Sequence, residues 1–432
     1  MKKGFIFIFI MFLFISEAPA QTISLKKTPP LTETSPELVG ISSERLARID
    51  KMCEEEVENG TLPGIVTLVA RNGKIVLWKA YGMADNEKKR PMERNDIFRI
   101  ASQTKAITST AVMMLWEEGK FQLDDPISKY IPEFKETKVL KTFHYKDTTW
   151  TGEIPETPIT IRHLLSHTSG IGYGFIDGDE RFKMIYRKAG ITDAFTTDKV
   201  ILSENIKKLA EMPLHHEPGS DFTYSEGLDV LGYFIEIMSG MPFDKFLQTH
   251  IFDPLEMNDT RFYLPDNKAD RLVTVQHKEN GEWKKFPVTS YNPDYPIKGA
   301  KSYFAGGAGL SSTAKDYATF LQMYLNGGEY NGIRILSRKT VDVILSNQIG
   351  NIWGNESSTK FGLAFGILTE NGQNKGGKGS IGTFDWGGYF NTQYFADPKE
   401  NIIGIIMKQT QGPVKDITGW KFRQLVFQSL DD

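Results

Sequence analysis

The sequence predicts an α/β (α+β) fold in which an antiparallel sheet is built from both chain ends and flanked by helices, with an inserted, mostly helical subdomain. Near the start, residues 65–81 contain two strand patterns joined by an Asn72-Gly73 turn. Strand patterns return at residues 365–407, and helical spacing with long loops dominates in between. With 40% hydrophobic residues, the 432-residue chain has enough apolar material for one large core, and we find no linker or repeat that divides it.

Residues 1–20 have the pattern of a secretory signal peptide. Met1-Lys2-Lys3 is basic, residues 4–15 are apolar, and Ala18-Pro19-Ala20 is a small-residue cleavage site. The apolar stretch is short for a membrane span, so we expect cleavage, no stable span afterwards, and a periplasmic or secreted protein. The expected organisation is a signal peptide at 1–20, a flexible Thr- and Pro-rich tail at 21–37 and one domain at 38–432, with an α/β part at about 38–101 and 304–432 and a helical part at about 102–303.

The individual elements follow from hydrophobic spacing and turn residues. Apolar residues at helical spacing predict helices, and alternating or continuous β-branched runs predict strands. The single cysteine, Cys53, falls on the apolar face of the first helix, so we expect a buried structural thiol. The predicted helices are 42–58, 106–116, 159–165, 228–238 and 420–430, and the predicted strands are 65–70, 75–81, 365–368, 389–396 and 402–407.

Ser102 opens the motif Ser102-Gln103-Thr104-Lys105 at the start of an apolar helical run. On a helix, Lys105 lies on the same face as Ser102 and within its reach. A serine hydroxyl becomes a good nucleophile only when a neighbouring group takes its proton, and a buried lysine amine is one such group. The spacing Ser-x-x-Lys occurs four times, but Ser24 lies in the tail, Ser312 is predicted to cap a helix and Ser357 lies in a loop. Ser102 is therefore the candidate nucleophile.

Two further motifs supply candidates for the same site. Tyr224 lies between a Pro218-Gly219 turn and a predicted helix, and a phenol placed beside a lysine can accept the serine proton. Trp386-Gly387-Gly388 precedes Tyr389 at a predicted strand. Two glycines allow close approach of another backbone or a substrate, and they leave an N–H free to stabilise an oxyanion.

Together with residues 159–171 and 305–312, these motifs resemble the serine β-lactamase and penicillin-binding-protein superfamily. The chain is most similar to class C β-lactamases and to the β-lactamase-like (family VIII type) carboxylesterases, over about residues 38–430. The resemblance implies the β-lactamase/transpeptidase-like fold and a serine hydrolase. It implies Ser102 as the acylated nucleophile, Lys105 and Tyr224 as the groups that activate it, and the N–H groups of Ser102 and Tyr389 as the oxyanion hole. Which of Lys105 and Tyr224 is the base stays open.

The chain departs from the class C pattern at two positions. Class C enzymes carry Tyr-Ser-Asn and Lys-Thr-Gly where this chain has Tyr224-Ser225-Glu226 and Trp386-Gly387-Gly388, and the missing Asn and Lys contact a β-lactam in that class. We expect Glu226 at the rim of the site as a negative charge, and Glu226, Trp386, Gly387 and Gly388 as substrate-binding residues. The departures favour esters with neutral, apolar acyl groups. A D-amino-acid peptidase or penicillin-binding-type or β-lactam hydrolase, and a non-enzymatic acyl-binding sensor, remain alternatives.

Histidine spacing and charge bear on cofactors and partners. His163 and His167 have zinc-ligand spacing, but Leu164 stands where a zinc protease has glutamate, so we expect no metal and no cofactor. His215 and His216 are expected to be solvated or at the rim of the site. The net charge of −3 gives no case for nucleic acid, and the expected partner is a small-molecule acyl substrate. Oligomeric state stays open, and loops 172–200 and 262–303 are expected to wall the cleft.

Overall fold

The fold is given by a computed structural model that describes residues 22–376, 378–412 and 416–432. The predicted signal peptide lies outside these residues. The helices are α1 Ser43–Glu58, α2 Thr104–Glu117, α3 Ile161–Leu165, α4 Glu180–Ala189, α5 Leu202–Ala210, α6 Gly227–Ser239, α7 Phe243–Leu247, α8 Asp266–Ala269, α9 Tyr295–Lys298, α10 Ala314–Leu325, α11 Arg338–Ile344, α12 Glu370–Asn374 and α13 Thr418–Phe427. The strands are β1 Thr22–Ile23, β2 Thr32–Glu33, β3 Gly64–Arg71, β4 Lys74–Asp85, β5 Arg90–Pro91, β6 Phe98–Arg99, β7 Val139–His144, β8 Thr149–Glu153, β9 Gln276–Glu279, β10 Glu282–Lys285, β11 Ser311–Ser312, β12 Glu329–Tyr330, β13 Ile333–Arg334, β14 Thr359–Phe361, β15 Gly366–Leu368, β16 Phe384–Gly387, β17 Gln393–Asp397 and β18 Ile402–Met407.

The central sheet joins the two ends of the chain, as the sequence predicts. Its strand order is β14-β15-β16-β17-β18-β3-β4-β2, with β5 paired to β4. All neighbours are antiparallel except β2 and β4. The seam between the ends lies between β18 and β3, where Ile405 is opposite Leu68. The predicted fold class is confirmed.

The two faces of the sheet bury different layers of helix. Every residue of β3 is buried, so its side chains alternate between two apolar layers. Val66 and Leu68 belong to the main core, which includes α2, α6 and α10. Ile65 and Val69 pack in a second core formed with α1 and α13. Helices therefore cover the sheet on both sides.

The inserted part centres on α2, which is buried almost all round. Its first twelve residues, 104–115, are buried, and it packs mainly against α6. The prediction of few strands in this part missed two hairpins, β7–β8 and β9–β10. Their outward residues are exposed, so the sequence there is polar and lacks a strong apolar alternation.

Two local predictions were wrong. The strand predicted at 389–396 begins only at Gln393, as β17, because the residues before it form a turn after β16 in which the Gly388 N–H donates to the Thr392 carbonyl oxygen at 2.8 Å. The predicted cap Ser312 lies in β11, and Thr313 caps α10 by accepting from the Asp316 N–H at 3.1 Å. Both errors displace an element boundary by a few residues, because several neighbouring residue types suit the same turn or cap.

The segment expected to be a flexible tail makes backbone pairs in its described part. β1 pairs with β13, and β2 joins the edge of the central sheet beside β4. Leu31 is buried, and its N–H donates to the Tyr330 hydroxyl at 2.9 Å. Composition predicted flexibility, but one buried apolar residue and free strand edges elsewhere in the chain hold this segment in place.

Cys53 is fully buried on α1, which confirms the prediction of a structural thiol. Burial raises the pKa of this thiol to about 12, so it stays protonated. Within the described residues, none of the helices is long and apolar enough to cross a bilayer.

A buried ion pair ties the end of β18 to the start of α13, and it generates a stability prediction. Lys408 and Asp416 form a salt bridge with side chains only 1% and 6% exposed, and Lys408 Nζ also donates to Thr418 Oγ1 at 2.8 Å. Asp416→Asn leaves the Lys408 cation unbalanced, so we expect the free energy of unfolding in urea to fall by about 3–5 kcal/mol. The double variant Lys408→Met, Asp416→Leu should lose much less. Equal losses in the two variants would contradict this account.

Candidate active site

Ser102 lies where a short strand turns into helix α2. After β6, the 3-10 turn Ala101–Gln103 leads into α2. Ala101 has a φ of 43°, a left-handed conformation that costs a residue with a side chain about 1–3 kcal/mol. This turn presents the half-buried Ser102 at the N-terminal end of the helix, where developing negative charge is favoured.

Lys105 is buried one turn further along and points back at Ser102. Its Nζ lies 3.5 Å from Ser102 Oγ, 3.3 Å from the Tyr173 hydroxyl and 2.7 Å from the Gly307 carbonyl oxygen. The side chain is 1% exposed. An ammonium group has three N–H donors, and these three contacts match them.

The buried carboxyl group of Asp229 lies close to Lys105, beside Gly307. Asp229, on α6, is 1% exposed, and its oxygens have no hydrogen-bond partner among the described residues. A Cβ added to Gly307 would lie 2.5 Å from Asp229 Oδ2, 3.2 Å from the Tyr173 hydroxyl and 3.4 Å from Lys105 Nζ. The three groups therefore surround Gly307 and leave no room for a side chain there. Burial raises the pKa of Asp229 to about 6, against the opposing effect of the Lys105 charge, so at neutral pH Asp229 balances that buried charge.

Tyr224 is held by contacts on several sides. Trp386 Nε1 donates to the Tyr224 hydroxyl at 3.3 Å, and Lys105 Nζ lies 4.5 Å from the centre of its ring. The His167 ring packs 4.5 Å away, centre to centre, and His167 Nδ1 accepts from the Ser225 N–H at 3.2 Å. Burial and the Lys105 charge hold the pKa of His167 well below its usual range, so this ring is neutral. His167 therefore supports the Tyr224 loop from behind.

The turn after β16 places Tyr389 beside Ser102 in the lining of one cavity. A Cβ on Gly388 would meet the Ile100 carbonyl oxygen at 2.4 Å, so glycine is needed for this close approach to the backbone before Ser102. In the described part of the chain, the N–H groups of Ser102 and Tyr389 have no hydrogen-bond acceptor. Two free donors beside the nucleophile are what an oxyanion hole requires.

Glu226 is not at the rim, where the sequence analysis placed it. It is fully buried, and neither carboxyl oxygen has a hydrogen-bond partner among the residues described. Burial, the nearby Asp193 and then Asp229 raise its pKa well above the usual range, so it is protonated. Glu226 therefore does not line the cavity that opens at Ser102, and it contributes no charge to that cavity. The error arose because the loop turns this side chain inward, which one loop sequence cannot reveal.

A cavity of about 420 Å³ opens at Ser102. Trp386, Gly387 and Gly388, the predicted substrate-binding residues, line this cavity, and Ile176 is the residue of loop 172–200 that reaches it. The loop at 262–303 is placed differently. Its Tyr291 packs against the Tyr389 ring at 5.9 Å between centres and supports the wall from outside.

The remaining histidines have structural contacts. His163 caps the start of α3 through Thr160, whereas His167 lies beyond the end of that helix, so their rings do not share one helical face. His215, expected to be solvated or at the rim, instead stacks on Phe182 at 3.4 Å and pairs with Asp177 at 3.0 Å. Groups of residues that could hold a metal ion are not found in the described ranges.

Sequence reasoning missed three residues of this site: Tyr173, Asp229 and His167. Asp229 left a detectable signal, because it is a carboxylate within the apolar run Gly227-Leu228-Asp229-Val230-Leu231. Tyr173 lies in a long loop and carries no local signal. His167 was considered only as a metal ligand, although its position after α3 places it against Tyr224.

Comparison with known proteins identifies the family. A model of the β-lactamase family matches residues 49–427. Esterase EstB from Burkholderia gladioli is 30% identical over 380 residues, covering 84% of this chain and 90% of EstB. Lovastatin esterase from Penicillium rubens is 28% identical over 391 residues, covering 85% of this chain and 93% of that protein. The solved structure of EstCE1, a hydrolase with promiscuous acyltransferase activity, matches with a TM-score of 0.76 at 28% identity, covering 89% of this chain and 98% of that one. The chain therefore belongs to the β-lactamase family and is a serine hydrolase.

Proposed function

We propose that the protein hydrolyses carboxylic esters through an acyl-enzyme formed on Ser102. The observation that carries this proposal is the cluster of Ser102, Lys105 and Tyr224 at the mouth of an apolar cavity. Trp386 occupies the wall where class C enzymes carry lysine, so the cavity offers no cation there for a β-lactam carboxylate. The similarity to EstB and lovastatin esterase supports the same substrate class.

Acylation starts with attack of Ser102 Oγ on the ester carbonyl carbon. The Ser102 proton passes to one member of the pair Lys105 and Tyr224, and the carbonyl oxygen becomes an oxyanion that the Ser102 and Tyr389 N–H groups can bind. Because Lys105 already donates to Gly307 and Tyr173 and is balanced by Asp229, we assign the proton to the Tyr224 phenolate. Collapse of the intermediate breaks the carbon–oxygen bond, and the leaving alcohol takes this proton.

In deacylation, water is the attacking group and Ser102 is the leaving group. Tyr224 removes a proton from a water molecule, whose oxygen attacks the acyl carbon, and the carboxylic acid leaves as Ser102 regains its proton. Trp386 donates to the Tyr224 oxygen, so the indole orients the phenol in both halves of the reaction.

Two alternative functions would use the same site, and neither fits it as well as ester hydrolysis. A D-amino-acid peptidase, penicillin-binding-type or β-lactam hydrolase would bind a charged carboxylate, which the tryptophan at position 386 disfavours. An acyl-binding sensor without turnover has no need of the activated nucleophile that Lys105 and Tyr224 provide.

We also propose that the protein is exported to the periplasm or secreted, from the pattern of residues 1–20. N-terminal sequencing of the mature protein should start at Gln21. A mature protein that keeps Met1 would refute export by cleavage.

A substrate panel tests the proposed function. Short-chain p-nitrophenyl esters should be hydrolysed with a kcat/KM well above that for nitrocefin, penicillins or D-Ala peptides. Ser102→Ala should lower ester turnover by about 10⁴-fold or more and abolish labelling by a fluorophosphonate. Ser312→Ala is the matched control, because this serine has the same Ser-x-x-Lys spacing but lies in β11. Efficient nitrocefin turnover with little ester hydrolysis would restore the β-lactamase assignment.

The second prediction concerns the coupling of Lys105 and Tyr224. If the two groups handle one proton as a unit, Lys105→Ala, Tyr224→Phe and the double variant should each lower kcat to a similar level. Steady-state kinetics on one ester would measure this. Additive effects in the double variant, or a near-normal kcat for Tyr224→Phe, would show that Tyr224 only packs against its neighbours.

The third prediction is the acid limb of the pH profile. Asp229 has a pKa raised to about 6, so it loses its charge as the pH falls through that value and no longer balances Lys105. We expect kcat/KM to fall below about pH 6. Asp229→Asn should show a lower plateau without this limb. An unchanged limb in that variant would contradict the role of Asp229 and assign the titration to another group.

A further inference from the structure

We propose that the cavity beside Ser102 continues into a binding chamber beneath α13, and that this chamber takes an elongated, mostly apolar arm of the ester carrying one neutral hydroxyl or amide group. The proposal rests on the proposed ester hydrolysis and adds the class of ester. The chamber is the part of the cavity lined by Gln393, Phe395, Ile406, Phe422 and Arg423.

The cavity reaches well beyond the catalytic residues. At one end it touches Ser102 and Tyr224, and at the other it touches Phe395 and Ile406 on strands β17 and β18. Both of these side chains face the layer between the sheet and α13. The volume of about 420 Å³ lies in the range of about 300–1,000 Å³ that is usual for small-molecule sites. An acetyl group alone leaves most of this space unfilled.

Two glycines let the side chains that line the chamber pack directly against the backbone of α13 and β18. A Cβ added to Gly419, in the first turn of α13, would lie 1.3 Å from Gln393 Oε1. A Cβ added to Gly404 would lie 2.3 Å from the Phe395 ring. Larger residues at these two positions would fill the chamber or displace the side chains that line it.

Two buried polar atoms in the chamber have no partner. Gln393 Oε1 and Arg423 Nε lack a hydrogen bond to any described residue, and Arg423 is 5% exposed. Gly419 and Arg423 are four residues apart on α13, so the Gln393 oxygen that lies against Gly419 is on the same helical face as Arg423. Gln393 Oε1 accepts hydrogen bonds, and the Arg423 Nε–H donates one. A hydroxyl or an amide, which can do both, satisfies the pair.

The charge in the chamber is already balanced. Arg423 Nη1 donates to Asp385 Oδ2 at 2.5 Å, and Nη2 donates to the Lys378 carbonyl oxygen. A carboxylate on the substrate would compete with Asp385, whereas a neutral polar group would not. Trp420, 54% exposed, lies at the opening and extends the apolar wall to the surface.

The test separates the two arms of the ester. One series holds p-nitrophenol constant and varies the acyl group through acetyl, hexanoyl, hydroxyhexanoyl and decanoyl. The other holds acetate constant and varies the alcohol through hexanol, hexanediol and decanol, with acid release followed at constant pH. In the series that varies the arm bound by the chamber, kcat/KM should rise with arm length by about tenfold or more. In that series, the ester with the hydroxylated arm should have a higher kcat/KM than the ester with the plain arm of the same length.

Three variants complete the design. Gly419→Leu, which fills the chamber from α13, should lower the ratio of long-arm to acetyl kcat/KM by about tenfold. Gln424→Leu places the same side chain on the exposed face of α13 and should keep the ratio. Gln393→Leu should remove the preference for the hydroxylated arm.

The proposed chamber would be overturned if kcat/KM did not change with arm length in either series. It would also be overturned if kcat/KM depended on arm length in the same way in the Gly419→Leu and Gln424→Leu variants. The proposed function has its own readout, because hydrolysis of p-nitrophenyl acetate by the wild type but not by Ser102→Ala supports it whatever the length profile.

Discussion

The buried charge of Lys105 is the constraint on which the rest of the site depends. An ammonium group that is 1% exposed is unfavourable unless its donors and its charge are matched. Here the Gly307 carbonyl and the Tyr173 hydroxyl accept from it, and Asp229 supplies the opposite charge. Once these partners are fixed, the remaining direction of the amine is towards Ser102.

Each of these partners comes from a different part of the chain, and this explains why the fold is built around α2. Lys105 lies on α2 and Asp229 on α6, which pack together, while Tyr173 and Gly307 lie on loops that cross over them. The bare Cα of Gly307 lets three polar groups converge. A side chain at this position would push Asp229 away from Lys105, so Gly307 is required for the charge pairing beside Ser102.

Sequence patterns predicted what depends on local spacing. Ser102 and Lys105 are one helical turn apart, and the long apolar runs of β3, β18 and α2 predicted the sheet and the central helix correctly. Local spacing does not predict the direction in which a loop side chain points. Glu226 follows Tyr224 by two residues, but its side chain is buried away from the cavity at Ser102. Burial, together with the surrounding Asp193 and Asp229, raises its pKa and keeps it protonated. The extent of the cavity towards α13 could not be predicted either, because its lining there comes from β17, β18 and α13, which are far from Ser102 in the chain.

The character of the substrate follows from how the charges are distributed. The buried side of the nucleophile holds Lys105 with Asp229 as its counter-charge, and the chamber holds Arg423 with Asp385. Each cation is therefore already balanced by the protein. Trp386 donates a hydrogen bond to Tyr224 without adding charge, so this position holds no cation that would attract an anion. In the proposed mechanism, the free backbone N–H groups stabilise the charge that develops on the ester carbonyl oxygen, whereas no unbalanced cation is left to attract a charged substrate.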